Sequence, residues 1–85
     1  MRLLKFSASW CGPCKMLSMT IGSMKDKPAI LEHVVDIDVD IDPVAAAKYG
    51  VRGVPTLILV DENGNELKRV SGAIGADKLL AFVEQ

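Results

Sequence analysis

Ten residues, HVVDIDVDID at positions 33–42, restrict the fold of this 85-residue chain more than any other stretch. Val35, Ile37, Val39 and Ile41 alternate with Asp36, Asp38, Asp40 and Asp42, and a period of two belongs to a strand with one apolar face. On both sides the pattern turns helical. Upstream, Leu17, Ile21 and Met24 recur at i, i+4 and i+7 in a helix that starts at Cys11, is weakened by Gly22 and Ser23, and ends before Pro28. Downstream, Asp42 followed by Pro43 reads as an N-cap with proline in the first helical position, and Gly50 ends that short helix. Leu3, Leu4 and Phe6 open a first strand that stops at Ser7–Ser9. VPTLILVDENGNELKRVSG, residues 54–72, reads as a hairpin whose strands flank the turn former Asn63-Gly64. Leu79, Phe82 and Val83 stripe a closing helix. The order β-α-β-α-β-β-α specifies an α/β fold, a sheet with helices covering its faces. The length fits a single domain over residues 1–85.

Composition removes several functions. The chain is 49% apolar and 25% charged, an ordinary globular balance, and its net charge of −1 gives no field for nucleic acid or acidic membranes. Phe6, Trp10, Tyr49 and Phe82 are the only aromatics, too few for a base-stacking surface. The opening MRLLKFSASW has no apolar run long enough for a signal peptide or a membrane span, so the expected location is cytoplasmic.

The chemistry concentrates in WCGPCK, residues 10–15, which contains both cysteines of the chain. Zinc wants about four ligands, and only Cys11, Cys14 and His33 are candidates, with no second CxxC. As a structural staple, a bridge closing so short a loop would restrict the unfolded chain very little. Redox chemistry fits the spacing better. Cys11 falls at a helix start, where unpaired N–H groups and the helix dipole favour a thiolate, and Cys14 lies one turn on. Pro13 pre-sets the backbone, Gly12 leaves room for a partner chain, and Lys15 adds positive charge nearby.

WCGPCK at a strand-to-helix junction resembles the active-site motif of the thioredoxin family. The resemblance extends to KYGVRGVPT (48–56), where Pro55 follows Cys14 by forty-one residues and looks like the family's cis-proline, and to SGAIG (71–75). It runs from about Leu3 to the end and implies a shortened form without the N-terminal strand and helix of full-length thioredoxins. The implied fold is a four-stranded mixed sheet with helices on both faces. By resemblance, Cys11 is the attacking thiolate and Cys14 the resolving thiol. Trp10, Gly12, Pro13, Gly53, Val54, Pro55, Gly72 and Ala73 would line a groove for the client peptide, with Val54 offering it main-chain hydrogen bonds. The implied activity is disulfide reduction in client proteins. No bound cofactor is implied, and electrons would come from a thioredoxin reductase, an NADPH-dependent flavoprotein. A monomer is expected. A thioredoxin-fold binding subunit of a larger enzyme and a glutaredoxin-like protein recycled by glutathione are the alternatives; a CGPC rather than a CPxC centre argues against the latter.

Two positions depart from the family pattern in a correlated way. Thioredoxins carry a buried Asp six residues before the first cysteine, where this chain has Lys5, and a partner Lys where this chain has Asp36. The charges look exchanged. The expectation is a partly buried Lys5–Asp36 pair in which Asp36, if it reaches Cys14, replaces the missing base; otherwise both side chains extend to water. A cation below the site would stabilise thiolates and make the reduction potential less negative. Met19 stands where the family often has a proline, so the long helix runs straighter or bends at Gly22-Ser23. In a shortened form the Asp row would lie on an exposed sheet edge and discourage pairing with other chains. Its DxDxD spacing also suggests calcium, but the Gly and distal Glu of a calcium loop are missing.

Overall fold

The computed structural model describes residues 1–84. Four strands, β1 (Arg2–Ser7), β2 (Val35–Asp38), β3 (Thr56–Val60) and β4 (Glu66–Ser71), form one sheet in the order β2-β1-β3-β4. Four helices accompany it: α1 (Gly12–Ser23), α2 (Ala29–Glu32), α3 (Pro43–Lys48) and α4 (Ala76–Glu84). β1 runs parallel to β2 and antiparallel to β3, and β3 is antiparallel to β4, which makes the sheet mixed.

Apart from Lys5, the buried residues at the middle of the two central strands are apolar on both sides because both faces of the sheet are covered. Leu3, Leu57 and Leu59 turn to one face, where Leu17 and Ile21 of α1, Leu31 of α2 and Leu79 and Val83 of α4 pack on them. Leu4, Phe6, Ile58 and Val60 turn to the other, under Ala45, Ala46 and Tyr49 from α3 and its end. Alternation carries this division onto β2. Val35, Ile37 and Val39 join the α3 face, so Asp36 takes the α1 face, where it meets Lys5.

Element ends follow the residues that can form them. Asp42 Oδ1 accepts the Ala45 N–H at 3.1 Å and Pro43 follows it, so α3 starts there. It stops in a Schellman arrangement: Gly50 N–H bonds Ala47 O at 3.1 Å and Val51 N–H bonds Ala46 O at 2.9 Å, with Gly50 at φ 61°. α1 runs unbroken past Met19, with Gly22 and Ser23 as its last residues, and Lys27 Nζ caps it by donating to Ile21 O.

Three local features differ from the sequence expectation. α2 is an additional element; its single turn follows Pro28 and inserts Leu31, 2% exposed, into the core. The strand in 33–42 ends at Asp38, leaving Ile41 83% exposed. The hairpin connection is five residues long, 61–65, because Asp61 rather than Asn63-Gly64 alone organises it: its Oδ1 accepts the N–H groups of Asn63 and Asn65, each at 2.9 Å.

Candidate active site

β1 delivers the chain to the sheet's C-terminal end, and Ala8–Trp10 turn it into α1. Cys11 is the N-cap of that helix, with extended backbone, and its Sγ sits where a capping oxygen would, accepting the Cys14 N–H at 3.1 Å. Gly12 and Pro13 form the first helical positions, exposed, the proline lacking an N–H where the helix has no use for one. Cys11 and Cys14 are joined by a disulfide across 5.3 Å between their Cα atoms, and both are buried against Ala8, Val39 and Val54.

A second segment closes over the sulfurs. The Val54–Pro55 peptide bond is cis, and Val54 O lies 3.8 Å from Cys11 Sγ. The Thr56 hydroxyl donates to Gly53 O at 2.7 Å, and Gly72 N–H donates to Pro55 O at 3.0 Å with Gly72 at φ 95°. The first bond closes residues 53–56 on themselves and the second ties them to the turn after β4, on which Ala73 is exposed. Trp10, 69% exposed, donates its indole N–H to Asp40 Oδ2 at 2.9 Å. It lines a cavity of about 120 Å³ together with Gly53, Val54 and Arg52. The structure thus gathers Trp10, Gly53 and Val54 at one cleft beside Cys11 and ties Gly72 to Pro55.

Lys5 and Asp36 stand directly opposite one another on β1 and β2. Lys5 Nζ is 2.8 Å from Asp36 Oδ1 and donates to Ser18 Oγ at 2.8 Å. The lysine side chain is 8% exposed and the aspartate 68%, so a buried cation is held by a carboxylate that keeps most of its hydration. Lys5 and Ser18 border two cavities. One, about 290 Å³, is shared with Cys14, Ser7, Lys15 and Asp38. The other, about 240 Å³, contains Asp36 and Glu32. The carboxylate on the Cys14 side is therefore Asp38, and Asp36 faces the opposite cavity.

The Asp row has four separate employments. Asp36 pairs with Lys5, Asp38 Oδ1 accepts the N–H groups of Asp40 and Ile41, Asp40 holds Trp10, and Asp42 caps α3. β2 is an edge strand as expected, but shielding the edge does not account for these contacts. Ser18, Asp38 and Asp40 were missed as site residues. Ser18 was findable from its i+4 spacing to Cys14, which puts both on one helix face. Among the described residues no group of three or more His, Cys, Asp or Glu is placed to hold a metal, and no helix is long and apolar enough to cross a membrane.

Comparison with known proteins agrees with this geometry. The thioredoxin family model matches residues 1–85. Thioredoxin of Chlamydia caviae is 37% identical over 83 residues, spanning 98% of this chain and 79% of the relative. That of Chlamydia trachomatis is 40% identical over 85 residues, with the same coverage of both chains. Among solved structures, a single-site mutant of thioredoxin from Halobacterium salinarum superposes with a TM-score of 0.79 at 38% identity, covering 96% of this chain and 70% of the other. Thioredoxin NaTrxh from Nicotiana alata gives 0.80 at 38% identity, covering 95% and 68%. With a cysteine pair joined as a disulfide at the head of α1 and relatives that align along nearly its whole length, this chain belongs to the thioredoxin family, the disulfide oxidoreductases whose redox-active pair is here Cys11 and Cys14.

Proposed function

We propose that this chain reduces disulfides in client proteins by cycling between the Cys11–Cys14 disulfide and the dithiol. The observation that carries the reading is the disulfide at the N-cap of α1, where Cys14 N–H already bonds Cys11 Sγ and the first-turn amides favour a thiolate. The Cys11 thiolate attacks one client sulfur, forming a mixed disulfide and releasing the other client sulfur as a thiolate. Deprotonated Cys14 then attacks Cys11 Sγ, the Cys11–client bond breaks, and the client leaves with two electrons. Its two thiolates take up protons from water.

Trp10, Gly12, Pro13, Gly53, Val54, Pro55, Gly72 and Ala73 are the proposed client groove. The cleft between Trp10 and Val54 supports this, as does the approach of Val54 O to Cys11 Sγ. The client lies extended and takes main-chain hydrogen bonds from Val54. A thioredoxin reductase that draws on NADPH through a flavin returns the electrons. Residues 1–85 act as one thioredoxin-like domain, as a monomer and in the cytoplasm, where such a reductase can keep the dithiol reduced.

The test is reduction of insulin disulfides with NADPH and a thioredoxin reductase. Wild type turns over, Cys11→Ser is inactive, and Cys14→Ser accumulates the client mixed disulfide. A chain active only with glutathione and glutathione reductase would be glutaredoxin-like. One that turns over with neither donor, while its Cys11→Ser, Cys14→Ser form still sustains a partner enzyme, would be a binding subunit.

A further inference from the structure

The resolving step asks Cys14, a buried thiol, to become a thiolate, and burial opposes that charge. A buried cation borders the same cavity as this thiol. Lys5 is anchored on two sides, by Asp36 Oδ1 and by Ser18 Oγ, each 2.8 Å from Nζ. An ammonium has three N–H donors, and these partners occupy two. Lys5 also borders the cavity of about 290 Å³ into which Cys14 opens. Its anchoring carboxylate lines the other cavity, and Lys5 lines both. Charges on the neighbouring elements are Lys15 on α1, Asp38 on β2, which lines the Cys14 cavity, and Glu32 on α2, which lines the far one. Asp38 Oδ1 accepts two backbone N–H groups of its own turn while the residue lines the Cys14 cavity.

We propose that the Lys5 ammonium, aimed by Asp36 and Ser18, is the positioning charge that stabilises the Cys14 thiolate across the shared cavity. The inference rests on the reading of Cys14 as the resolving thiol. In the mixed disulfide, Cys14 releases its proton to water in the open cavity while its sulfur lies in the field of Lys5. It then attacks Cys11 Sγ, the new Cys11–Cys14 bond forms, and the departing thiolate carries off the electron pair of the broken bond. Asp36 and Ser18 act only through Lys5. Asp38, the like charge on the Cys14 side, opposes the step.

The opposition of signs makes the test sharp. Reduced protein is mixed with one equivalent of 5,5′-dithiobis(2-nitrobenzoate) in a stopped-flow cell. The first coloured thiolate reports attack by Cys11 and the second reports attack by Cys14, each recorded from pH 5 to 10, a range that spans about three decades of thiolate fraction below the ordinary thiol pKa. Lys5→Met should move the pH profile of the second phase upward and slow it at neutral pH by about three- to tenfold. Ser18→Ala should do the same more weakly, and Asp38→Asn should accelerate the second phase. Asn keeps a carbonyl for the turn N–H groups, and Ser18 is exposed, so both variants keep the fold. They decide the matter if Lys5→Met does not fold. Unchanged second-phase profiles in Lys5→Met and Ser18→Ala, or a slower Asp38→Asn, would overturn the inference. Absence of a second phase in the wild type would instead overturn the resolving role of Cys14, a separate failure.

Discussion

The pair at Lys5 is asymmetric in burial, and its two members should respond differently to mutation. Lys5→Met removes a buried charge and leaves Asp36, already 68% exposed, to water, so stability should hold or rise. Asp36→Asn leaves the buried ammonium with a neutral amide oxygen in place of its counter-charge and should cost roughly 1–3 kcal/mol. Urea unfolding of both variants checks the contrast, and equal losses would contradict it. Leu17 is 0% exposed among Leu3, Leu57 and Leu79, and Leu17→Ala should cost about 2–5 kcal/mol in the same assay. Residues whose chemistry is local were legible in the sequence: Cys11 and Cys14 lie one turn apart, and a cap with a dithiol needs no tertiary knowledge. Lys5 and Asp36 could be named as partners only through the resemblance, since thirty-one residues separate them. That Asp38 rather than Asp36 borders the Cys14 cavity depends on where β2 ends, which a continuous alternation conceals.

At the scale of elements, the ends of α3 and the β3–β4 connection set the terms. Gly50 has φ 61° and no atom within 4 Å of where a Cβ would stand, so Gly50→Ala pays only for the left-handed backbone. The expected cost is about 1–2 kcal/mol, and Gly50→Asn should cost less; urea titration distinguishes them. In the hairpin, the Asn65 N–H first, then the Asn63 N–H, the Asn65 side chain and the Gly64 N–H, hold the Asp61 carboxyl below its ordinary range, and together they outweigh the upward pull of burial. A carboxyl with a lowered folded pKa adds stability that is complete above the unfolded pKa of about 3.9 and lost as pH falls through the folded value. Thermal unfolding of Asp61→Asn should therefore show a flatter acid limb than wild type below about pH 4. Parallel acid limbs would show that the turn does not depend on the ionised form. The hairpin itself was legible from Asn63-Gly64, but its five-residue length was not, because that pair also fits the two-residue turn. α2 was hidden for a related reason: four residues carry too little periodicity to register.

For the whole molecule, element order and the covered sheet were readable because each long element shows its own period, and the strand order follows from the family likeness. What the sequence left open was how the edge strand is seated. β2 is four residues long and touches the rest of the sheet along one side. A slip of one residue would exchange its faces, and its apolar row could then lie against Lys5. The buried ammonium rejects that arrangement, since it would lose Asp36 and face Val35 or Ile37. Replacing both partners, as in Lys5→Leu with Asp36→Val, should leave global stability near wild type while amide protection along β2 falls selectively, a difference that hydrogen exchange resolves. The ion pair then works as a key as well as a charge. It admits one alignment of two strands that the chain joins only through a long excursion, and so adds a charge check to the register that the burial of Val35, Ile37 and Val39 already favours.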